Sequence, residues 1–212
     1  MSVARSPVRV VCISDTHTLH DQLSIPEGDV LVHAGDLTRR GSREDVRAFD
    51  AWLGSLPHPH KVVIAGNHDF CFERVPDARS WITQATYLQD EGCVVAGLRV
   101  WGSPWQPRFF DWAFNLDRGA PLREKWDRIP SDTEVLLTHG PPNGVLDRTW
   151  DGSRVGCEEL RAAVARVRPR LHVFGHIHEA YGREEQDGTV FVNACSCDLE
   201  YEPVQAPIVV DL

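Results

Sequence analysis

Two histidines, His176 and His178, follow a glycine at the end of the apolar run Leu171 to Phe174. If extended geometry continues past Phe174, side chains at i and i+2 lie on one side. That arrangement suits two neighbouring metal ions or one shared ion. A His-x-His pair alone is a common surface feature. Four other apolar runs, however, end in the same manner. Val8–Ile13 gives way to Asp15 and His17, Val30–Ala34 to Asp36, Lys61–Ala65 to Asn67, His68 and Asp69, and Thr133–Leu137 to His139. Asn67 can offer only a neutral carbonyl oxygen, a hard ligand. His68 can exchange a proton, and Asp69 either orients a neighbour or serves its turn. One such ending is an accident; five carrying carboxylate, amide and imidazole are not.

With His68 held aside, the donors are two aspartates, one asparagine and four histidines. Mixed oxygen and imidazole ligands without cysteine suit borderline ions such as Mn2+, Fe or Zn2+ and not a structural zinc. Seven ligands are too many for one ion and natural for two that share a carboxylate. Two ions about 3.5–4 Å apart can clamp a phosphoryl group and activate a water between them. The chemistry expected is phosphoester hydrolysis by in-line water attack, with no covalent enzyme intermediate.

These residues need strands to carry them. The β-branched runs before each ending read as buried strands. Between them, Ser42 is an N-cap with Asp45 three residues on, and Val46, Phe49, Trp52 and Leu53 form one apolar face closed by Pro57. Gly156 to Val167 is helical, with Leu160, Ala163, Val164 and Val167 inward. Cys93 to Trp101 alternates around Gly97 and reads as a hairpin. Thr189–Asn193 and Pro207–Asp211 are closing strands. Gly102 to Gly119, with Trp105, Phe109, Phe110, Trp112 and Phe114, reads as a long loop that either packs on the core or lines a substrate site. The class is α/β with several parallel strands, in which ligands sit beyond the carboxyl ends. His33, inside its run, reads as a satisfied core histidine. His58 and His60 belong to a turn, His172 to a strand, and His20 reads first as an ordinary structural residue, with support of Asp15 as the lesser alternative.

Composition narrows the setting. The chain has 212 residues and a net charge of −9, and no linker or repeat divides it, so one domain over 1–212 is expected. An acidic surface disfavours long nucleic acid but not a small phosphorylated substrate. No apolar stretch approaches the ~20 residues that span a bilayer. Met1 to Arg9 has no signal-peptide core, which with six cysteines in no zinc spacing suggests reduced thiols and a cytoplasmic protein. Cys195-Ser-Cys197 reads as a strand end and loop rather than a soft-metal site.

The order Asp-x-His, Gly-Asp, Gly-Asn-His-Asp, His-Gly and Gly-His-x-His, with Gly-Ser-Pro-Trp-Gln-Pro and Leu-Thr-His-Gly-Pro-Pro between, resembles the calcineurin-like metallophosphoesterase family, specifically its branch of metallophosphoesterase-domain-containing proteins. The resemblance covers essentially the whole chain. It implies two mixed sheets packed face to face with helices outside, a four-layer sandwich. It implies one metal held by Asp15, His17, Asp36 and His178 and another by Asp36, Asn67, His139 and His176. Asp36 and a hydroxide would bridge, the latter as nucleophile, and His68 would contact the phosphoryl oxygen and protonate the leaving group. Some members of the branch carry glycine at the last histidine and are poor catalysts; His178 is present here. Related phosphatases hold phosphate with an arginine shortly after the bridging aspartate, which points to Arg39 or Arg40, with Arg40 expected at the substrate. The implied activity is a phosphodiesterase on small, nucleotide-like diesters, cyclic ones among them, with Mn2+ the first choice of ion. A phosphomonoesterase or protein phosphatase and a low-turnover nucleotide-binding regulator are the alternatives.

Overall fold

The computed structural model describes residues 7–212; Met1 to Ser6, on which part of the N-terminal reading falls, lie outside the described residues. The strands in chain order are β1 (Arg9–Ile13), β2 (Val30–His33), β3 (His60–Val63), β4 (Thr86–Tyr87), β5 (Glu91–Val95), β6 (Leu98–Ser103), β7 (Gln106–Pro107), β8 (Asn115–Leu116), β9 (Val135–Thr138), β10 (Leu171–Phe174), β11 (Gly182–Gln186), β12 (Thr189–Asn193) and β13 (Ile208–Asp211). The helices are α1 (Arg43–Ser55), α2 (Phe70–Arg74), α3 (Ala120–Trp126) and α4 (Glu158–Val167).

One sheet runs β13-β1-β2-β3-β4 and the other β11-β12-β10-β9-β6-β5. Both are mixed: β1, β2, β3 and β4 are parallel, as are β12, β10, β9 and β6, with antiparallel strands at the edges. The period of two sorts each central strand into two buried faces. Val10 and Cys12 of β1, Val30 and Val32 of β2, Val135 and Leu137 of β9, and Leu171 and Val173 of β10 meet in a core between the sheets. The alternate residues Val11, Ile13, Leu31 and Val63 pack outward on Val46, Phe49 and Leu53 of α1. Leu136, Phe174 and Phe191 pack outward on α3 and α4. Burial on both faces is why these strands read as unbroken apolar runs. The four-layer order expected from the sequence is the one observed.

Local chemistry sets the boundaries. The Ser42 hydroxyl accepts the Asp45 amide at 3.0 Å and starts α1. At α4 the cap is the Cys157 sulfur, accepting from the Leu160 amide at 3.3 Å. Ala96 and Gly97, both at positive φ (49° and 79°), turn the β5–β6 hairpin. The 102–119 segment is not one loop. Gln106–Pro107 pairs in parallel with Asn115–Leu116, and Trp105 and Phe114 pack into the interior. Among the described residues no helix is long and apolar enough to cross a membrane.

Candidate metal centre

The carboxyl ends of β1, β2 and β3 meet those of β9 and β10 at one rim of the sandwich. The sheets are tied there by a bridge between Ser14 and Cys195, with the Ser196 amide donating to the Ser14 carbonyl at 2.8 Å. Beyond these ends Asp15, His17, Asp36, Asn67, His68, His139, His176 and His178 converge.

Asp36 is central. Its Oδ2 lies 3.5 Å from His139 Nε2 and 3.9 Å from Nε2 of both His17 and His68, and its Oδ1 accepts the His68 amide at 2.8 Å. Asn67 Oδ1 is 2.8 Å from His139 Nε2. On the other side, Asp15 Oδ1 is 3.4 Å from His178 Nε2 and 4.0 Å from His17 Nε2. The Asp15 carboxylate also accepts the His176 amide and, at 3.3 Å, the Cys195 thiol. The His176 ring is 5.1 Å from that of His139.

The imidazoles are oriented from behind. His139 Nδ1 is 3.0 Å from the Ala34 carbonyl and His178 Nδ1 is 2.7 Å from the Asp198 carbonyl. Each therefore donates through Nδ1 and turns Nε2 toward the carboxylates. His17 Nε2 and His178 Nε2 face one another at 3.4 Å, and His17 Nδ1 is buried with no partner among the described residues. Lone pairs of imidazole, carboxylate and amide aimed at common points are what a divalent cation satisfies, so the donor set fits a metal centre.

The electrostatics agree. Burial alone would raise both carboxyls. The imidazole facing each overrides it, His139 at Asp36 and His178 at Asp15, and both stay well below the usual carboxylate range. Burial likewise opposes charge on His139 and His178, but Asp36 and Asp15 lift them to about 9, so without a cation each holds at Nε2 a proton that a bound metal would displace. Burial dominates at His17 and His176, which drop to about 4 and about 3. Shifts of this size clustered at one rim mark a functional site.

Backbone strain marks the same place. Asp15, His17, Asp36 and His176 all lie at positive φ (52°, 44°, 57° and 69°). Such conformations cost on the order of 1–3 kcal/mol each and gather where geometry is functional. They also correct the expectation for His176 and His178. The chain is not extended past Phe174. His176 is left-handed and His178 begins a 3-10 turn, so a turn and not a strand period brings the two imidazoles to one centre.

A model of the family described as calcineurin-like phosphoesterase matches residues 8–180. The chain belongs to the calcineurin-like phosphoesterase family. Metallophosphoesterase domain-containing protein 1 of human, and likewise that of mouse, is 47% identical over 232 residues, covering 96% of this chain and 71% of the relative. A UPF0046 protein of Caenorhabditis elegans is 40% identical over 233 residues, covering 99% and 83%. Among solved structures, TT1561 of Thermus thermophilus shares the fold, with a TM-score of 0.59 at 14% identity over 89% of each chain. Family membership makes this protein a metal-dependent phosphoric ester hydrolase, in a family that characteristically holds two divalent ions.

In this phosphoesterase the centre floors a cleft of about 520 Å³. Asp36, Asn67, His68, His176 and His178 line its base, and Phe109, Trp112, Trp150, Leu199 and Tyr201 its walls. His68 Nδ1 is 3.0 Å from the Arg39 carbonyl and its ring stacks on Trp112 at 4.2 Å, leaving Nε2 toward Asp36 and the cleft. Arg40, expected at the substrate, is not in the lining. Its guanidinium lies over the outer aromatic, 4.8 Å from the Trp112 ring centre, because that face offers a cation–π partner. Arg39 is also exposed and donates to the His17 carbonyl at 3.4 Å. The cleft's arginines are Arg108 and Arg118, both from the 102–119 segment, where the sequence pattern draws attention to the aromatics alone.

Asp69 proves to be an organiser. Its oxygens accept from Leu37, Thr38 and Gly66 amides and the Thr38 hydroxyl, locking the loops after β2 and β3 together. Burial, with the Asp36 charge behind it, raises its carboxyl to about 6 in spite of those bonds. His33 is the core histidine expected, accepting the Gly35 amide and bonding the Thr16 hydroxyl. His20 does not stand behind Asp15; its ring packs against Phe49 and Trp52.

Proposed function

We propose that this protein is a two-metal phosphodiesterase that hydrolyses small, nucleotide-like diesters, cyclic ones included, by direct attack of water. The observation that carries the reading is the convergence of seven ligand-type residues at one rim, four of which, Asp36, Asn67, His176 and His178, line the base of one aromatic-walled cleft. Asp15, His17, Asp36 and His178 would hold one ion and Asp36, Asn67, His139 and His176 the other. Mn2+ is our first choice of ion for this oxygen–imidazole set, with Fe or Zn2+ the alternatives. Two bound ions supply Lewis acidity that polarises the phosphoryl group and acidifies the attacking water. His68, fixed by Arg39 and Trp112, presents Nε2 to hold a phosphoryl oxygen and to protonate the departing alkoxide.

Charge in the cleft supports a diester. Arg108 is paired with Asp117 at 2.8 Å and Arg118 with Glu158, while Glu179 adds a carboxylate to the lining. A monoester brings up to about one more negative charge than a diester and has, among the described residues, no unpaired arginine in this lining to meet it. Trp150, 83% exposed in the cleft wall, and Phe109 offer aromatic faces to a base. The six free cysteines fit a reducing cytoplasm, and the net charge of −9 is unsuited to long nucleic acid.

The test is hydrolysis of matched aryl monoesters and diesters by metal-stripped protein titrated with Mn2+, alongside His176→Ala and His178→Ala. Metal-dependent cleavage that prefers the diester and is lost in both variants is expected. A monoester preference would make it a phosphomonoesterase. Nucleotide monophosphate binding without turnover under any divalent ion would make it a regulator.

A further inference from the structure

The turn from Asp198 to Gln205, which follows Cys195-Ser-Cys197 beyond β12, carries no motif of its own. Asp198 builds it: Oδ1 accepts the Glu200 and Glu202 amides at 3.0 and 2.9 Å, and the Asp198 carbonyl accepts the Tyr201 amide at 3.1 Å. The same carbonyl takes His178 Nδ1, and Gln205 Nε2 donates to the His178 carbonyl at 3.2 Å. The turn is thus bolted to a histidine of the centre from both sides.

What it holds is Tyr201, at φ 61°, a backbone conformation that bulky residues rarely adopt. The strain aims the ring over the centre. It stands edge-on to His17 with ring centres 4.8 Å apart, edge-on to His178 at 5.4 Å, and 6.3 Å from His68. Tyr201 borders the cleft and is 41% exposed. The hydroxyls of Tyr87 and Tyr181 bond Gln89 and the Ala206 carbonyl, whereas that of Tyr201 has no protein partner among the described residues. A rigidly held phenol with an unused donor beside the expected seat of a phosphoryl group is a preorganised donor for charge developing there.

We propose that Tyr201 contacts the substrate, its phenol donating a hydrogen bond to a phosphoryl oxygen while its ring closes the His17–His178 side of the centre. This rests on the cleft being the phosphoester site. The discriminating variant is Tyr201→Phe, which keeps the ring and removes the donor; Tyr201→Ala removes both.

Three readings on Mn2+-loaded protein decide it: bound ions per chain, kcat and KM on an aryl phosphodiester, and affinity for inorganic phosphate by calorimetry. In Tyr201→Phe, metal content and Tm should match wild type, kcat/KM should fall about 10- to 100-fold, and phosphate should bind several-fold more weakly, the loss expected for one hydrogen bond to a charged group. Tyr201→Phe equal to wild type in both kcat/KM and phosphate affinity overturns the proposal and leaves the ring a wall. If wild type cleaves no diester, the phosphodiesterase reading fails separately, and the phosphate arm still decides Tyr201. A wild type that neither cleaves diester nor binds phosphate overturns both; one that cleaves diester but binds no phosphate leaves kcat/KM of Tyr201→Phe to decide Tyr201, and an unchanged value overturns the proposal.

Discussion

Asp36 touches both halves of the centre, and its two oxygens do different work. Oδ2 faces His17, His68 and His139, while Oδ1 takes the His68 amide and so couples the charge to the position of the proposed acid. Asp36→Asn keeps the shape and removes the charge. It should weaken divalent-ion binding by at least about 100-fold, since even supporting residues behind metal ligands are worth 10- to 100-fold; equilibrium dialysis against Mn2+ reads this directly, and unchanged affinity would contradict a bridging role. His68→Ala should leave both ions bound and lower kcat by about 10²- to 10⁴-fold. The loss should be smaller for a p-nitrophenyl diester, whose leaving group needs little protonation, than for an alkyl one; equal losses on both would remove His68 as the acid. At this scale the ligand types were legible in the sequence because each stands directly after a β-strand. Arg40 and Tyr201 were not, since the partner of an exposed guanidinium and the aim of a loop side chain are set by tertiary contacts.

Strand ends deliver these residues, but the turns after them do the aiming. Four left-handed residues and the glycines beside them let backbone and carboxylate approach closely. A Cβ on Gly175 would collide with the Asp15 carboxylate, and one on Gly66 with Asp36 and His139. Gly175→Ala should therefore displace Asp15, cost about 1–3 kcal/mol as other overpacking does, and lower metal occupancy more than it lowers Tm. A metal content equal to wild type would show that the turn yields without moving the ligand. The buried parallel strands and the two capped helices, α1 and α4, were plain from apolar runs and amphipathic faces. The short elements were not, among them the five-residue α2 and the two-residue β7 and β8. β11 (Gly-Arg-Glu-Glu-Gln) is an edge strand with no large apolar residue, and β4 has two residues. α3 shows one fully buried apolar pair, Leu122 and Trp126, too short a pattern to read. Nor does a sequence period report that His176 leaves strand geometry.

The whole molecule is a sandwich that holds several histidines neutral in its interior. His172 is fully buried on the Thr138 hydroxyl at 2.8 Å, and burial drops it from 6.5 to about 3. Its folded-state pKa lies below the unfolded value, so from pH 6.5 down toward 3 the unfolded chain takes up a proton that the folded chain refuses. Stability is lost as pH falls, by about 1.4 kcal/mol per pH unit for this group alone. His172→Gln, though less stable at pH 7, should lose stability less steeply by that amount between pH 6 and 4 in urea denaturation with chelator present; parallel curves would mean that His172 protonates in the folded state. The same interior sets ligand-type residues after β1, β2 and β3 opposite those after β9 and β10, and the proposed function requires this rim to hold two ions. The direct measurement is the number of Mn2+ ions bound per metal-stripped chain by equilibrium dialysis, for wild type, His139→Ala and His178→Ala. Two ions in wild type, with a different one weakened in each variant, is the predicted result. One ion or none in wild type at saturating Mn2+ would contradict it.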